Sequence, residues 1–218
     1  GTTDVTRIQM SNVPAVEALK APVNQFVNVK RYPPADYRGV SAPNADTLYS
    51  LAWVDVKEPQ VFSYPDMGKR FFLFPMVDLW MTIFDSPGSR TTGQKAGKFL
   101  LTGPDWKGEV PKGMTHIPVA TRYMVILGRT YADGTDADYK AANALQAQYR
   151  ITPLSSWGKP FTPKAPWCRW AAVGAPLRPS WNTKMRTVLV VGSKRTTLQP
   201  RAAVATGGTS CAPSSVAA

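Results

Sequence analysis

The sequence predicts a mainly β protein: an antiparallel β-sandwich-type domain with one prominent helix near residues 136–149 and an irregular C-terminal tail. Three observations predict it. Twenty prolines and sixteen glycines are spread along the 218 residues, which divides the chain into short segments with frequent turns. Six segments before residue 131 have the length and apolar patterning of strands. One stretch, Asp136 to Tyr149, combines a capping residue with apolar side chains at helical spacing.

Residues 13–30 show an apolar periodicity interrupted by Pro22, so a short helix followed by a loop is expected. Residues 48–56, LYSLAWVDV, alternate with period two, as a half-buried strand does. Gln60 to Tyr64 and Arg70 to Met76 read as two further strands. Between them, Pro65-Asp66-Met67-Gly68 places proline at the first corner and glycine at the end of a tight reversal. Leu79 to Phe84 follows, then a turn at Ser86-Pro87-Gly88, a strand at Lys98 to Thr102, and the longest strand at Thr121 to Thr130. In the helix, Thr135 is placed to cap, and Asp138 completes a capping-box-like pair. Tyr139, Ala142, Leu145 and Tyr149 share the face that should dock on a sheet. After Pro163 only Thr187 to Val191 reads as a strand.

A composition of 44% hydrophobic and 18% charged residues suits a chain that buries a core and excludes general disorder. No apolar run reaches the roughly 18 residues of a membrane-spanning helix, and no leader sequence follows Gly1. The net charge of +12 is uneven: residues 1–139 hold 15 basic and all 14 acidic residues, while the remainder holds 11 basic residues and no acidic one. The division expected is therefore a mainly β domain over 1–163 and an atypical basic tail over 164–218. Any nucleic-acid affinity should be nonspecific and reside in the tail. Cys168 and Cys211 show no metal-binding or redox spacing; a disulfide between them and two free thiols both remain open.

Most signatures of catalysis are absent: no nucleophile elbow, phosphate loop, dinucleotide fingerprint or H-E-x-x-H occurs. His116 is the single histidine, which excludes a histidine-rich metal site, and its loop-like setting favours a structural or surface role over catalysis. No metal and no cofactor are expected.

Five separated stretches carry more information. They are Asn44-Ala45-Asp46-Thr47-Leu48-Tyr49-Ser50, Val77-Asp78-Leu79-Trp80, Gly88-Ser89-Arg90-Thr91-Thr92-Gly93, Gly103-Pro104-Asp105-Trp106-Lys107-Gly108 and Gly128-Arg129-Thr130. In this order and spacing they resemble the bacterial family catalogued as domain of unknown function 1254, over about Tyr32 to Lys159. The resemblance implies a largely β, often exported protein, hence secreted or periplasmic, commonly followed by a second, jelly-roll-like domain. It implies no established activity. Residues after about Pro163 do not match the family's continuation. Their lack of carboxylates and richness in Arg, Ala, Pro, Ser and Thr leave open a natural basic extension, a disordered tail, or a GC-rich gene read out of frame.

Two readings of the polar motif residues stand side by side. In the structural one, Asp46 makes an Asx turn, and Arg90 and Arg129 form bidentate clamps with Asp46 or Asp78. In the functional one, Asp46, Asp78, Tyr49, Trp80, Arg90 and Arg129 line one pocket. Aromatic platforms and hydrogen-bonding groups there would suit a saccharide-like or carboxylate-bearing ligand. The function expected is a small-molecule or saccharide-like ligand-binding module, or an assembly module that can form homo-oligomers. The alternative is a hydrolase using Asp46 and Asp78 as a catalytic pair about 5 to 10 Å apart, with an arginine holding an anionic group. Whether the protein is an enzyme stays open at this level.

Overall fold

The computed structural model describes residues 2–13, 19–38 and 44–163. The chain divides after Pro166, and all described residues lie in the first unit, Gly1–Pro166. A helix, α1 (Thr2–Ser11), is followed by β1 (Val27–Asn28), β2 (Thr47–Asp55), β3 (Gln60–Tyr64), β4 (Phe72–Leu73) and β5 (Met76–Asp78). Then come β6 (Ile83–Asp85), β7 (Gly97–Thr102), β8 (Thr115–Pro118), β9 (Tyr123–Tyr131), α2 (Asp136–Gln146) and β10 (Arg150–Pro153), with one 3-10 turn at Leu154–Ser156.

The strands form two sheets. The larger runs β1-β2-β9-β5-β6, with β4 also pairing to β9; the smaller runs β10-β3-β7-β8. All pairs are antiparallel except β7 with β8. Alternation along each strand sends one set of side chains between the sheets. Ala52, Val54, Phe74, Met124 and Ile126 from the large sheet meet Phe62, Tyr64, Phe99, Leu101 and Ile151 from the small one in a single core. The Phe62 and Phe74 rings meet edge-on, 4.9 Å between centroids, a preferred aromatic geometry.

The core strands fall where the alternation places them. The expected strand over Arg70 to Met76 is split, because Leu73 bridges to Gly88 and Phe74 bonds Pro87 between β4 and β5. The expected Leu79 to Phe84 strand begins only at Ile83, since residues 79–82 form a turn closed by Asp78 (N–H to the Thr82 carbonyl, 3.1 Å) with Met81 at φ 65°. Of the helix expected within residues 13–30, residues 14–18 lie outside the described residues; residues 19–30 are turn, loop and β1. Thr187 to Val191, Cys168 and Cys211 also lie outside the described residues.

Helix α2 plugs one end of the sandwich, with Tyr139 and Ala142 packed on Leu48 and Ala132. The Thr135 hydroxyl caps it by accepting from the Asp138 N–H at 3.2 Å. The carboxylate of Asp138 does not return to Thr135. It accepts from the Asp133 N–H and receives both Nη atoms of Arg70, tying the helix start to the segment before β4.

Candidate functional site

Side chains on the other face of the large sheet point away from the core. Over half of this face Trp53, Val77 and Val125 form a separate apolar cluster with Leu51, Leu127 and Met10 of α1. Arg7 of α1 sits over the Tyr123 ring at 3.9 Å, so α1 covers this half. Further along the same alternation, Tyr49 pairs with Arg129, Arg129 with Leu73, and the Tyr131 N–H bonds the Phe71 carbonyl at 2.9 Å. Tyr131 is 44% exposed and Arg129 is exposed, so this half offers an open face.

Two guanidinium groups lie on it. Arg129 rests over the Tyr49 ring, 5.4 Å from its centroid, and Arg90 over Phe71 at 5.6 Å. Arg90 arrives there because Gly88 lies against Leu73 at the end of its loop: a Cβ on Gly88 would meet the Phe72 carbonyl oxygen at 2.7 Å. Among the described residues, the ion pairs are Arg7–Asp4, Arg31–Asp136, Arg70–Asp138, Lys95–Asp66 and Arg122–Asp55, and none involves Arg90 or Arg129. The expected arginine–aspartate clamp is therefore not formed. Each guanidinium is held by an aromatic face, an arrangement that leaves its N–H edges available.

The aspartates are placed elsewhere. Asp46 immediately precedes β2, Asp78 ends β5, and both strands run antiparallel to β9. They thus run the same way, and the two carboxylates fall at opposite ends of the sheet. Thr47 lies opposite Tyr131 and Asp78 opposite Met124; seven residues of β9 separate these rows by about 23 Å. Asp78 is buried, and its Oδ1 accepts from the N–H groups of Trp80 at 2.8 Å and Thr82 at 2.9 Å, which shapes the β5–β6 turn. The expected Asx turn exists, but Asn44 makes it: its Oδ1 accepts from the Asp46 N–H at 2.9 Å and the Thr47 N–H at 2.7 Å. Trp80 stands 80% exposed in the β5–β6 turn, at the Asp78 end of the sheet and away from the arginines. His116 lies on β8 with Nε2 2.9 Å from the Thr102 hydroxyl.

Of the residues singled out in sequence, Tyr49, Arg90 and Arg129 thus share a face, while Asp78 and Trp80 lie at the far end of the sheet and Asp78 is buried. Phe71 and Tyr131 are the members that the sequence reading missed. The Arg129-Thr130-Tyr131 alternation at the end of the longest strand is the signal that could have found Tyr131. Among the described residues no group of three or more His, Cys, Asp or Glu is placed to hold a metal ion, and no helix is long and apolar enough to cross a membrane.

The crystal structure of the VPA0106 protein from Vibrio parahaemolyticus is similar to this chain, with 33% identity and a TM-score of 0.50 over 56% of this chain and 31% of that one. The chain therefore spans about a third of that longer protein. No curated protein matches. The family described as "Protein of unknown function (DUF1254)" matches residues 23–153, a segment holding β1 to β10, both arginines and the whole open face, and to that family this chain belongs.

Proposed function

We propose that this domain is a binding module for a carboxylate-bearing, saccharide-like ligand, taken up on the open half of the large sheet's outer face. The observation that carries the reading is the pair of arginines, Arg90 and Arg129, stacked on Phe71 and Tyr49 with no ion pair among the described residues. Stacking fixes the guanidinium planes before a ligand arrives, so less side-chain entropy is lost on binding. The N–H forks match carboxylates in bidentate geometry, and the exposed Tyr131 ring adds an apolar surface for the ring face of a sugar. The hydrolytic alternative is not carried forward, because two-carboxylate hydrolysis needs groups within about 10 Å and the strand register holds Asp46 and Asp78 at roughly twice that distance.

The test is a calorimetric titration of the full chain with oligogalacturonate at low and high salt, repeated with Arg129→Ala and Arg90→Ala. Each substitution should weaken binding by about 1.5 to 3 kcal/mol, as for loss of a charged hydrogen bond, and salt should weaken the wild type. Binding that ignores both the substitutions and the salt would end this reading.

A further inference from the structure

The Val77-Asp78-Leu79-Trp80 motif has no part in the arginine face. It leads into the β5–β6 hairpin, which ends the large sheet and carries an apolar tip. Trp80 is 80% exposed, Met81 66% and Ile83 64%. Residues 79–84, LWMTIF, contain no charged side chain. Phe84 packs on the core, which fixes the hairpin to the body and leaves Ile83 outside. Single apolar residues on a surface need no account, but a contiguous group marks an interaction surface.

Two features show that the tip is built for display. The amides of four successive residues are paired inside the protein. Leu79 N–H donates to Thr121 Oγ1 at 3.2 Å, Trp80 N–H and Thr82 N–H donate to Asp78 Oδ1 at 2.8 and 2.9 Å, and Met81 N–H donates to the Asp78 carbonyl at 3.2 Å. Asp78 is itself buried, so a carboxylate leaves water to hold a turn whose own side chains face outward. The second feature is Met81 at φ 65°, a left-handed conformation suited to Gly or Asn and unfavourable for a bulky side chain. An exposed methionine supplies little core packing to offset that strain.

These features define the partner. A turn whose N–H groups are already paired can enter the acyl region of a bilayer, where no water is present to pair backbone groups. The tryptophan indole joins an apolar body to one N–H donor and suits the boundary between headgroups and acyl chains. A second copy of the chain fits the tip less well. Three side chains even of tryptophan size, about 150 to 250 Å² each, fall short of the roughly 800 Å² per partner of a stable complex. A lipid surface sets no such minimum, because interfacial binding scales with the apolar area inserted. We propose that the β5–β6 hairpin is a membrane-surface anchor that inserts Trp80, Met81 and Ile83 into the headgroup boundary of a lipid bilayer.

The experiment is flotation of the full chain with phosphatidylcholine vesicles at low and high salt; this zwitterionic lipid keeps the basic residues of the chain from binding through charge. The protein should float with the vesicles equally at both salt concentrations. Trp80→Ala should weaken this binding about ten-fold or more, as for loss of one large apolar side chain, without lowering the unfolding midpoint. Met81→Gly should also weaken it while keeping or raising the midpoint, because glycine adopts the left-handed conformation without strain. Tyr37→Ser should leave vesicle binding unchanged: Tyr37 is exposed on the segment that Tyr32 ties to Ala132, at the other end of the sheet. Failure of the wild type to float overturns the proposal, as does flotation that survives Trp80→Ala or disappears at high salt. Self-association that Trp80→Ala abolishes, without vesicle binding, would also overturn it and assign the tip to a second copy.

Discussion

Gly128 lies midway along β9 with the Phe74 ring pressed against it: a Cβ there would come within 2.8 Å of that ring and 2.9 Å of the Ser50 carbonyl oxygen. The neighbouring atoms are an aromatic ring inside a packed core and a backbone carbonyl, and neither yields cheaply. Gly128→Val should therefore destabilise the protein by roughly 1 to 3 kcal/mol through overpacking, read as a lower thermal midpoint. An unchanged midpoint would show that the Phe74 ring can move aside. The same closeness of packing explains why Arg129, the next residue, faces outward: alternation gives the core Gly128 and Thr130 and leaves Arg129 to the open face.

At the scale of elements, the contact between Arg70 and Asp138 decides how α2 is held. The hydrogen bonds from Arg70 pull the Asp138 carboxyl down from 3.8 to about 2. A depressed carboxylate contributes stability that is complete above its unfolded pKa and is lost as pH falls through the folded one. The stabilisation should thus be full above about pH 4 and vanish between about pH 4 and pH 2. Arg70→Gln should lower stability at pH 7 by on the order of 1 to 2 kcal/mol after allowance for solvent screening. Near pH 2 the variant and wild type should converge. Urea unfolding at the two pH values checks this. A constant difference would mean that Arg70 acts through packing and its bond to the Tyr131 carbonyl instead of through charge.

For the whole molecule, positive charge is concentrated outside the described residues: residues 164–218 carry eight basic residues and no acidic one. Among the described residues five carboxylates are held in ion pairs, and all 14 acidic residues of the chain lie in the body, where they offset most of its basic ones, so the body offers little general attraction to polyphosphate. A chain ending at Pro163 should keep a cooperative unfolding transition and lose any nonspecific nucleic-acid binding that falls steeply with salt. The full chain and the shortened one are to be compared by thermal unfolding and by titration with single-stranded DNA. A drop in midpoint of roughly 10 °C, equivalent to a few kcal/mol for a domain of this size, would show that the last 55 residues belong to the fold.

The sequence by itself determined the core strands, the Thr135 cap and the class. Period-two alternation in residues 48–56, 60–64 and 121–130 is a local signal, and each of these segments is a strand because burying one face is a property of the segment alone. Thr135 is equally local, whereas the tight reversal expected at Pro65 to Gly68 is displaced: the turn is closed by the Arg70 N–H on the Met67 carbonyl at 3.0 Å, and the strands on either side, β3 and β4, belong to different sheets. Beyond that reach lay β8 and β10, each four residues long and set by their partners, and α1, whose TTDVTRIQMS carries little apolar periodicity. The candidate sites show the same division. Tyr49 and Arg129 are cross-strand neighbours only because of the β2–β9 register, and Arg90 joins them only through the Leu73–Gly88 bridge. Asp46 and Asp78, which look like a pair in sequence, are driven apart because one begins its strand, the other ends its own, and the two strands run the same way. Register and strand direction are long-range quantities, fixed by which faces meet in the core, and only the tertiary structure decides them.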